Sequence, residues 1–409
     1  MEKMPSESSD PPPRRKEGVY YLMGTSSTLG HLAREGALEM ARARHAGDLI
    51  ISPPSSGRFP WSEPEVLGVL QCGFDKNMFD LILSRNYPCV NLSNSFGEIP
   101  GMGNLLSDDR AVGVLAARHL LDRGHQTFLA VWYEGRTTHA ERAEGFLRTV
   151  RDAGAEALEL PNSFSARRGV PNTHLRYLSE MRELVSASLG KLPLGSGFFA
   201  SNDDLALLIQ QVMKLSFPGH LDTSGIVGVD NNARESGHFG NLPDLTSVVP
   251  AFREMGADAM AWLLDHPGEM GKEAVTGLRR RYAPAGIEVR ASTAVGACGD
   301  PLTARMIRWI WERVREGQKI SVSDLARAHH MARKTLERRF STHAGCSPGD
   351  LITRLRLDLA RELLRTTHYG IAEISHRCGF AKQDILSRAI RHTHGCTPSE
   401  YRKRVTGME

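Results

Sequence analysis

Leu325-Ala-Arg-Ala-His-His-Met-Ala-Arg-Lys-Thr-Leu-Glu-Arg338 is answered later in the chain by Ile374-Ser-His-Arg-Cys-Gly-Phe-Ala-Lys-Gln-Asp-Ile-Leu-Ser-Arg388. Leu336, Arg338, Gly345, Cys346, Pro348 and Arg354 recur as Leu386, Arg388, Gly395, Cys396, Pro398 and Arg404, all at an offset of 50. Upstream, Leu325-Ala326 answers Ile374-Ser375 and Met331 answers Phe380 at an offset of 49, so the second copy has one extra residue. Each copy reads as a short helix, a tight turn and a longer basic helix, the grammar of a helix-turn-helix. Two such units in tandem predict a protein that grips two successive stretches of major groove. Two similar amphipathic hairpins of a helical bundle are the bland alternative.

The residues of each unit divide into an inner and an outer face. Ser321-Val-Ser-Asp324 is spaced like a capping box at the start of the first unit. Met331, Leu336 and Phe340 are expected inward, with Lys334, Glu337, Arg338 and Ser341 as a polar stripe at helical spacing. In the second unit Phe380, Leu386 and Ile390 are expected inward, and Asp384, Ser387, Arg388 and Arg391 form the stripe. Arg338 and Arg388 are the first candidates for guanine, because a guanidinium fork matches O6 and N7 together. Lys334, Glu337, Gln383 and Asp384 are the next base-reading candidates. Arg333, Lys382 and Arg391 are assigned to phosphates.

Charge supports a polyanion-binding tail. The net charge of +4 is unevenly spread: from Pro301 onward there are 21 Lys+Arg and 11 Asp+Glu, a balance of +10, which leaves 30 against 36, or −6, for residues 1–300. A basic module on an acidic body fits a nucleic-acid reader attached to something else. At 409 residues the chain predicts two or three domains. Residues 1–18 lack an apolar core, so they are expected to be a disordered leader and not a secretory signal. Six cysteines without a C-x-x-C pair suggest reduced thiols in a cytoplasm and no metal site. No apolar run is long enough to suggest a membrane span.

Residues 19–295 alternate nearly continuous apolar runs with amphipathic helical stretches. Val19–Met23, Asp48–Ile51, Val66–Gln71, Cys89–Leu92, Thr127–Trp132, Gly197–Ser201 and Gly225–Val229 are the candidate strands, and Asp109–Arg123, Ala140–Ala153, Asp203–Leu215 and Phe252–Asp265 are among the helices. The alternation predicts parallel, doubly wound α/β sheets. The length suggests two Rossmann-like lobes with a cleft between them.

In such sheets ligands bind beyond the carboxyl ends of the strands. Asn202 and Asp203 fall just past one strand, Asp230 just past another, Trp132 and Tyr133 at the end of a third, and Arg142 at the start of the next helix. Carboxylates, amides and an Arg fork suit vicinal hydroxyls, and an indole can cover a pyranose face. A small polyhydroxylated effector such as a sugar is therefore expected. Competing structural roles stay open: Asp203 and Asp109 as helix caps, Trp132 as core, Arg142 as a surface ion-pair partner. In the N-terminal half only Thr25, Ser26, Phe59 and Trp61 are nearby candidates. Catalysis finds no support. Gly24–Gly30 lacks the P-loop ending, there is no G-x-S-x-G or H-E-x-x-H, and His329-His330 and His392-x-His394 do not share a helix face.

Asp109-Arg-Ala-Val-Gly113, Arg118-His-Leu-Leu-Asp-Arg-Gly-His125, Arg142-Ala-Glu-Gly-Phe146, Ala200-Ser-Asn-Asp-Asp-Leu-Ala206, Val227-Gly-Val-Asp-Asn231, Leu245-Thr-Ser-Val248, Met255-Gly-Ala-Asp-Ala259 and Arg290-Ala-Ser-Thr293 together resemble the effector-binding domain of the LacI/GalR repressors. That resemblance implies a two-lobed fold like periplasmic sugar-binding proteins, with Arg142, Asn202, Asp203 and Asp230 at effector-contacting positions. Ile371-Ala-Glu-Ile-Ser-His-Arg-Cys-Gly-Phe380 and Gly395-Cys-Thr-Pro-Ser-Glu-Tyr-Arg402 resemble the AraC family, whose two helix-turn-helices are joined by a long helix, here Pro348–Thr366. The departures are Leu386 and Ile390 in place of aromatics, Ala332 and Ala381 where Ser is common as a cap, and His330 where the second copy has Gly379.

Sensor first and reader second resembles the xylose-responsive, XylR-type members of the AraC family. The expected layout is a leader at 1–18, a LacI-like, periplasmic-binding-protein-like sensor at 19–295, a linker at 296–301, an all-α DNA-binding domain at 302–405 and a tail at 406–409. The resemblance implies a cytoplasmic transcription factor without cofactor, activation more than repression, and xylose or a related monosaccharide as effector. Its implied partners are a double-stranded DNA operator, a second copy of the chain and, for an activator, RNA polymerase. A regulator with a non-sugar or degenerate sensor is the nearer rival, and a soluble sugar carrier the more distant one.

Overall fold

In the computed structural model the described residues are 19–23, 28–44, 49–51, 66–73, 76–84, 87–162, 173–232, 244–266 and 277–406. In chain order the elements are β1 (Val19–Met23), α1 (Thr28–Ala43), β2 (Leu49–Ile51), β3 (Val66–Gln71), α2 (Lys76–Ser84), β4 (Cys89–Asn91), β5 (Gly103–Ser107), α3 (Asp109–Leu121), β6 (Thr127–Tyr133), α4 (Thr137–Asp152), β7 (Glu156–Asn162), α5 (Thr173–Leu189) and β8 (Gly197–Ala200). Then follow α6 (Asp203–Ser216), α7 (Pro218–Thr223), β9 (Gly225–Val229), β10 (Thr246–Val249), α8 (Phe252–Asp265), β11 (Arg279–Tyr282) and β12 (Gly286–Glu288). The rest is helical: α9 (Pro301–Arg315), α10 (Val322–Ala328), α11 (Arg333–Ala344), α12 (Pro348–Thr366), α13 (Ile371–Arg377), α14 (Gln383–His394) and α15 (Pro398–Thr406).

Two units divide the chain, one of residues 1–108 and 250–283, the other of 109–249 and 284–409. The first holds a six-stranded, all-parallel sheet ordered β11-β5-β4-β3-β1-β2. Its helices α1 and α8 meet backbone to backbone: a Cβ on Gly36 would stand 1.9 Å from the Arg253 carbonyl oxygen, and one on Gly256 2.0 Å from that of Ala33. Ala33, Ala37, Met255, Ala259 and Leu263 fill the core around that contact.

The second unit holds a sheet ordered β12-β10-β9-β8-β6-β7, parallel except for the antiparallel β10–β12 pair, together with all the C-terminal helices. Both sheets are of the parallel α/β kind expected from the alternation. The strands not anticipated are those whose residues break an apolar run. β11 (Arg-Arg-Arg-Tyr) and β7 (Glu-Ala-Leu-Glu-Leu-Pro-Asn) are sheet edges, where one side faces water and charge is tolerated. β10 is internal but begins Thr-Ser, and those hydroxyls reach polar partners. Among the described residues no helix is long and apolar enough to cross a membrane.

The helical region has one core, with Ile307, Ile310, Leu325, Leu336, Phe340, Leu359, Ile374, Phe380, Leu386 and Ile390 buried together. Met331 is half-buried at its edge. The capping box forms, Ser321 accepting from the Asp324 amide and Asp324 from that of Ser321. Gly345 and Gly395 end α11 and α14 in the left-handed region, at φ 66° and 67°, so the sequence repeat is a repeat of turns as well. His330 is left-handed too, at φ 50°, where the second copy uses Gly379 at 71°. Ala332 is the N-cap of α11 and contributes no side-chain bond. In the second copy the expectation needs correction. Lys382, not Ala381, is the N-cap of α14, because that helix starts at Gln383 while its counterpart starts at Arg333, after Ala332.

Helices α3 and α4 repeat the glycine device of the first unit. A Cβ on Gly113 would lie 2.0 Å from the Arg142 carbonyl oxygen, and one on Gly145 2.2 Å from that of Arg110. Both obstacles are backbone, so only a separation of the helices relieves them. Gly145→Ala is expected to lower stability by roughly 1–3 kcal/mol, read as a lower urea midpoint with the slope of the transition unchanged. An unshifted midpoint would show that the helices part freely.

Candidate functional site

The close approach of α3 and α4 brings Arg142 against Asp109. Arg142 Nε donates to Asp109 Oδ1 at 2.8 Å, and its Nη1 donates to the Ser201 carbonyl at 2.8 Å and to Asp230 Oδ1 at 3.1 Å. Asp109 and the Arg142 side chain are almost wholly buried, whereas the Asp230 side chain keeps 18% exposure. Burial works against the charge on Arg142, but the carboxylates of Asp230 and Asp109 beside it hold its pKa above the ordinary value. Among the described residues nothing accepts from its Nη2.

Asp203 lies on the neighbouring strand end and is also fully buried. Its Oδ1 accepts from Ser247 Oγ at 2.7 Å and its Oδ2 from the Asn232 amide at 2.8 Å. A Cβ on Gly228 would come within 2.2 Å of Asp203 Oδ1, which is why that strand carries glycine there. The cap of α6 is Asn202, which accepts from the Leu205 amide, and not Asp203. Asp230 and Asn231 adopt φ of 98° and 55°, a strained turn held by Asn231 N donating to Ser247 Oγ and by Arg290 donating to Asn231 Oδ1.

The sequence candidates thus separate. Asp109, Arg142 and Asp230 form one ionic cluster, and Asn202 and Asp203 sit at the next strand end. Trp132 ends β6 and lies partly on the apolar cluster of Val112, Ala143 and Phe146. Thr25, Ser26, Phe59 and Trp61 lie outside the described residues. Arg142 is no surface ion-pair partner; being buried, it needs both carboxylates. His139, Ser201, Ser247, Asn231 and Arg290 were not singled out by chemistry, although four of them lie in or next to the quoted motifs. His139 shares a hydrogen bond with Ser201 Oγ, and burial together with the nearby Arg142 pushes its pKa down to about 3. A cavity of about 590 Å³ opens elsewhere in this unit, lined by Arg123, Trp311, Arg315, Glu362, Arg365 and Tyr401 among others, and touches none of the candidate residues.

The second candidate surface is the outer face of α11 and α14. Arg333, Lys334, Glu337 and Arg338 are exposed on the first, and Gln383, Asp384, Arg388 and Arg391 on the second, with Lys382 exposed just before it. Leu336, Phe340, Leu386 and Ile390 are buried beneath them. Arg333 Nε donates to Glu337 Oε1 at 2.8 Å, so those two residues occupy each other in the free protein. Arg388 Nε makes only a long 3.4 Å bond to the Asp384 carbonyl of its own helix. No group of three or more His, Cys, Asp or Glu among the described residues is placed to hold a metal.

A periplasmic-binding-protein-like domain model matches residues 117–293, and a helix-turn-helix domain model matches residues 325–404. The Xylose operon regulatory protein of Escherichia coli (strain K12) is 25% identical over 341 residues, covering 82% of this chain and 83% of that protein. The HTH-type transcriptional activator RhaR of Mannheimia succiniciproducens is 33% identical over 87 residues, 21% of this chain and 32% of that one. A solved structure of the xylose-binding transcription activator XylR has the same fold, with TM-score 0.61 and 23% identity over 95% of this chain and 99% of that one. The chain is an AraC-type transcription regulator. It is not an enzyme. In this AraC-type regulator the helix-turn-helix match ends at Arg404, inside α15.

Burial also gives the regulator a pH dependence. His119 and His125 join His139 in being held neutral, desolvation lowering the first well below its ordinary value and the second to about 4. Unfolded histidine titrates near 6.5, so as pH falls below about 6.5 the unfolded chain takes up protons that the folded one refuses. Stability is therefore full above about pH 6.5 and declines toward pH 4, at up to about 1.4 kcal/mol per pH unit for each histidine. Urea midpoints at pH 7 and pH 5 measure this slope, and His139→Asn should flatten it. A slope unaltered by that substitution contradicts the account.

Proposed function

We propose that this AraC-type regulator binds a monosaccharide, xylose or a related sugar, at the carboxyl ends of β6, β8 and β9. We further propose that a cytoplasmic homodimer of it activates transcription from a two-part operator with RNA polymerase. The observation that carries the sensor half is the Arg142–Asp109–Asp230 cluster. It leaves one carboxylate partly exposed and one guanidinium nitrogen unused at the strand ends where parallel sheets bind ligands. Asp230 and Asn202 accept from sugar hydroxyls, Arg142 Nη2 donates to one, and Trp132 offers a ring to the pyranose face. Asp109 and Asp203, both fully buried and engaged by protein donors, act by positioning Arg142 and the 230–232 turn. The xylose-related name of a relative aligned over 82% of this chain favours a pentose, and the activator name of RhaR favours activation.

On the reading side Arg338 and Arg388 contact guanine, with Lys334, Glu337, Gln383 and Asp384 reading further bases and Arg333, Lys382 and Arg391 on phosphates. The burial and internal pairing of Asp109, Asp203 and most of Arg142 favour one rival, a regulator whose sensor takes a non-sugar ligand or none. A carrier would have no use for two exposed basic helices.

A thermal-shift screen against pentoses and hexoses distinguishes these readings, since a ligand of the folded state raises apparent stability by RT ln(1 + [L]/Kd). One sugar should raise Tm, and Asp230→Ala should abolish that shift while DNA binding persists. Absence of any shift favours the rival. Arg388→Ala should relax preference at one base position by roughly 1–3 kcal/mol. Equal weakening on all sequences would place Arg388 on a phosphate.

A further inference from the structure

The two reading helices share a frame but differ on their outer faces. At the offset of 50 the first copy presents Arg333, Lys334, Thr335, Glu337 and Arg338, and the second presents Gln383, Asp384, Ile385, Ser387 and Arg388. Ile385 stands out chemically. It is 37% exposed, and among the described residues of the C-terminal helices no other large apolar side chain is as open to water. Its neighbours in sequence and on the helix surface, Gln383, Asp384 and Arg388, are polar and exposed, while Leu386 beside it is fully buried. Ile385 is therefore not a straggler from the core, whose inward positions Leu386 and Ile390 already fill. It lies in the first turn of α14, three residues before Arg388 and hence beside it on the helix surface.

We propose that Ile385 is a specificity-determining residue that packs against the C5-methyl group of a thymine in the second half of the operator. The proposal rests on α14 reading bases. The first turns of a recognition helix meet base edges, and thymine alone among the four DNA bases puts a methyl group in the major groove. A branched aliphatic side chain recognises that group by excluding water from both surfaces. Thr335, the counterpart in α11, brings a hydroxyl as well as a methyl, so the two copies read unlike half-sites. The base read by Ile385 adjoins the one read by Arg388.

The test begins with selection from a randomised duplex library by the full-length protein, with and without D-xylose. It continues with deoxyuridine in place of each selected thymidine, which removes the methyl group and leaves base pairing intact. Wild type is expected to lose about fourfold in affinity at one position, the worth of one buried methylene-sized group. Ile385→Ala should lose both the preference for thymine there and the sensitivity to deoxyuridine, while keeping the preference at the Arg388 base. Ile385→Val should retain both, which guards against a folding artefact. Equal deoxyuridine penalties in wild type and Ile385→Ala would overturn the assignment while leaving α14 as a reading helix. Failure of wild type to select any sequence would overturn the DNA-reading role of α14 and the assignment with it.

Discussion

One buried guanidinium organises the sensor half of this regulator. Taking Arg142 out of water costs several kcal/mol unless its donors are met, and the chain meets them with a carboxylate at the start of α3, a carbonyl after β8 and a carboxylate after β9. Three separate segments are therefore held to one point. The geometry is available only because Gly113 and Gly145 let α3 and α4 touch backbone to backbone. Replacing glycine there moves the helix that carries Arg142, so the packing of α3 on α4 and the placement of that guanidinium depend on the same residues. The strained turn at Asp230 and Asn231 follows from the same demand. It turns a carboxylate back toward Arg142 from the end of a parallel strand.

That turn is the start of a longer polar path. Arg290 donates to Asn231 Oδ1, its backbone amide donates to Thr246 Oγ1 at 2.8 Å, and Thr246 shares a 2.8 Å hydrogen bond with Thr293. Thr293 meets His119 Nε2 at 2.9 Å, and Arg123 lies across both, donating from Nε to the Thr293 carbonyl. The Arg123 carbonyl accepts from Ala297, and three residues later Asp300 caps α9 and forms a bidentate pair with Arg339 of α11. Arg308 of α9 in turn donates to the Leu221 carbonyl at the end of α7. Arg290, Thr246, Thr293 and His119 in this path are buried, so none of those four can leave its partner without stranding a polar group. The strand-end turn and the first reading helix are thereby joined by directional bonds within one unit, not by apolar contact alone.

What the sequence showed and what it hid follow from the same physics. Period and repeat were legible: the two helix-turn-helices and the inward Leu336, Phe340, Leu386 and Ile390 stand where spacing placed them, because a helix buries one face at fixed intervals, and the long α12 stands where the family resemblance placed it. Strands that are continuous apolar runs were legible, whereas β5, β7, β10 and β11, in which polar or charged residues interrupt the run, were not. At the sensor cluster the residue types were visible but their roles were not. Asn202 takes the capping role offered to Asp203, since which of two adjacent polar residues takes the extended cap conformation depends on where the strand releases the chain. Ser247 and Arg290 sit in quoted motifs, yet their partners are 44 and 59 residues away and only the folded sheet supplies them.

The two copies of the reading unit resolve one local problem in different ways. The second uses Gly379 at its left-handed turn, a conformation that costs glycine little. The first places His330 there, a departure that weakens the turn, while neither α11 nor α14 has a side-chain cap. Yet the first copy alone is bound through Arg339 to Asp300, the residue that also caps the helix leading out of the sensor. Burial works against the Asp300 carboxylate, but hydrogen bonds from the Thr303 hydroxyl and amide, and after them from Arg339, hold its pKa below the usual value, so it is ionised at neutral pH. The weaker turn therefore sits in the unit that is tied to the sensor, and the better-formed turn in the unit that lies farther along the chain. Local stability and connection to the sensor are divided between the copies. A reader built this way holds its second turn by a glycine and its first helix by a bidentate ion pair to Asp300, the residue that caps α9.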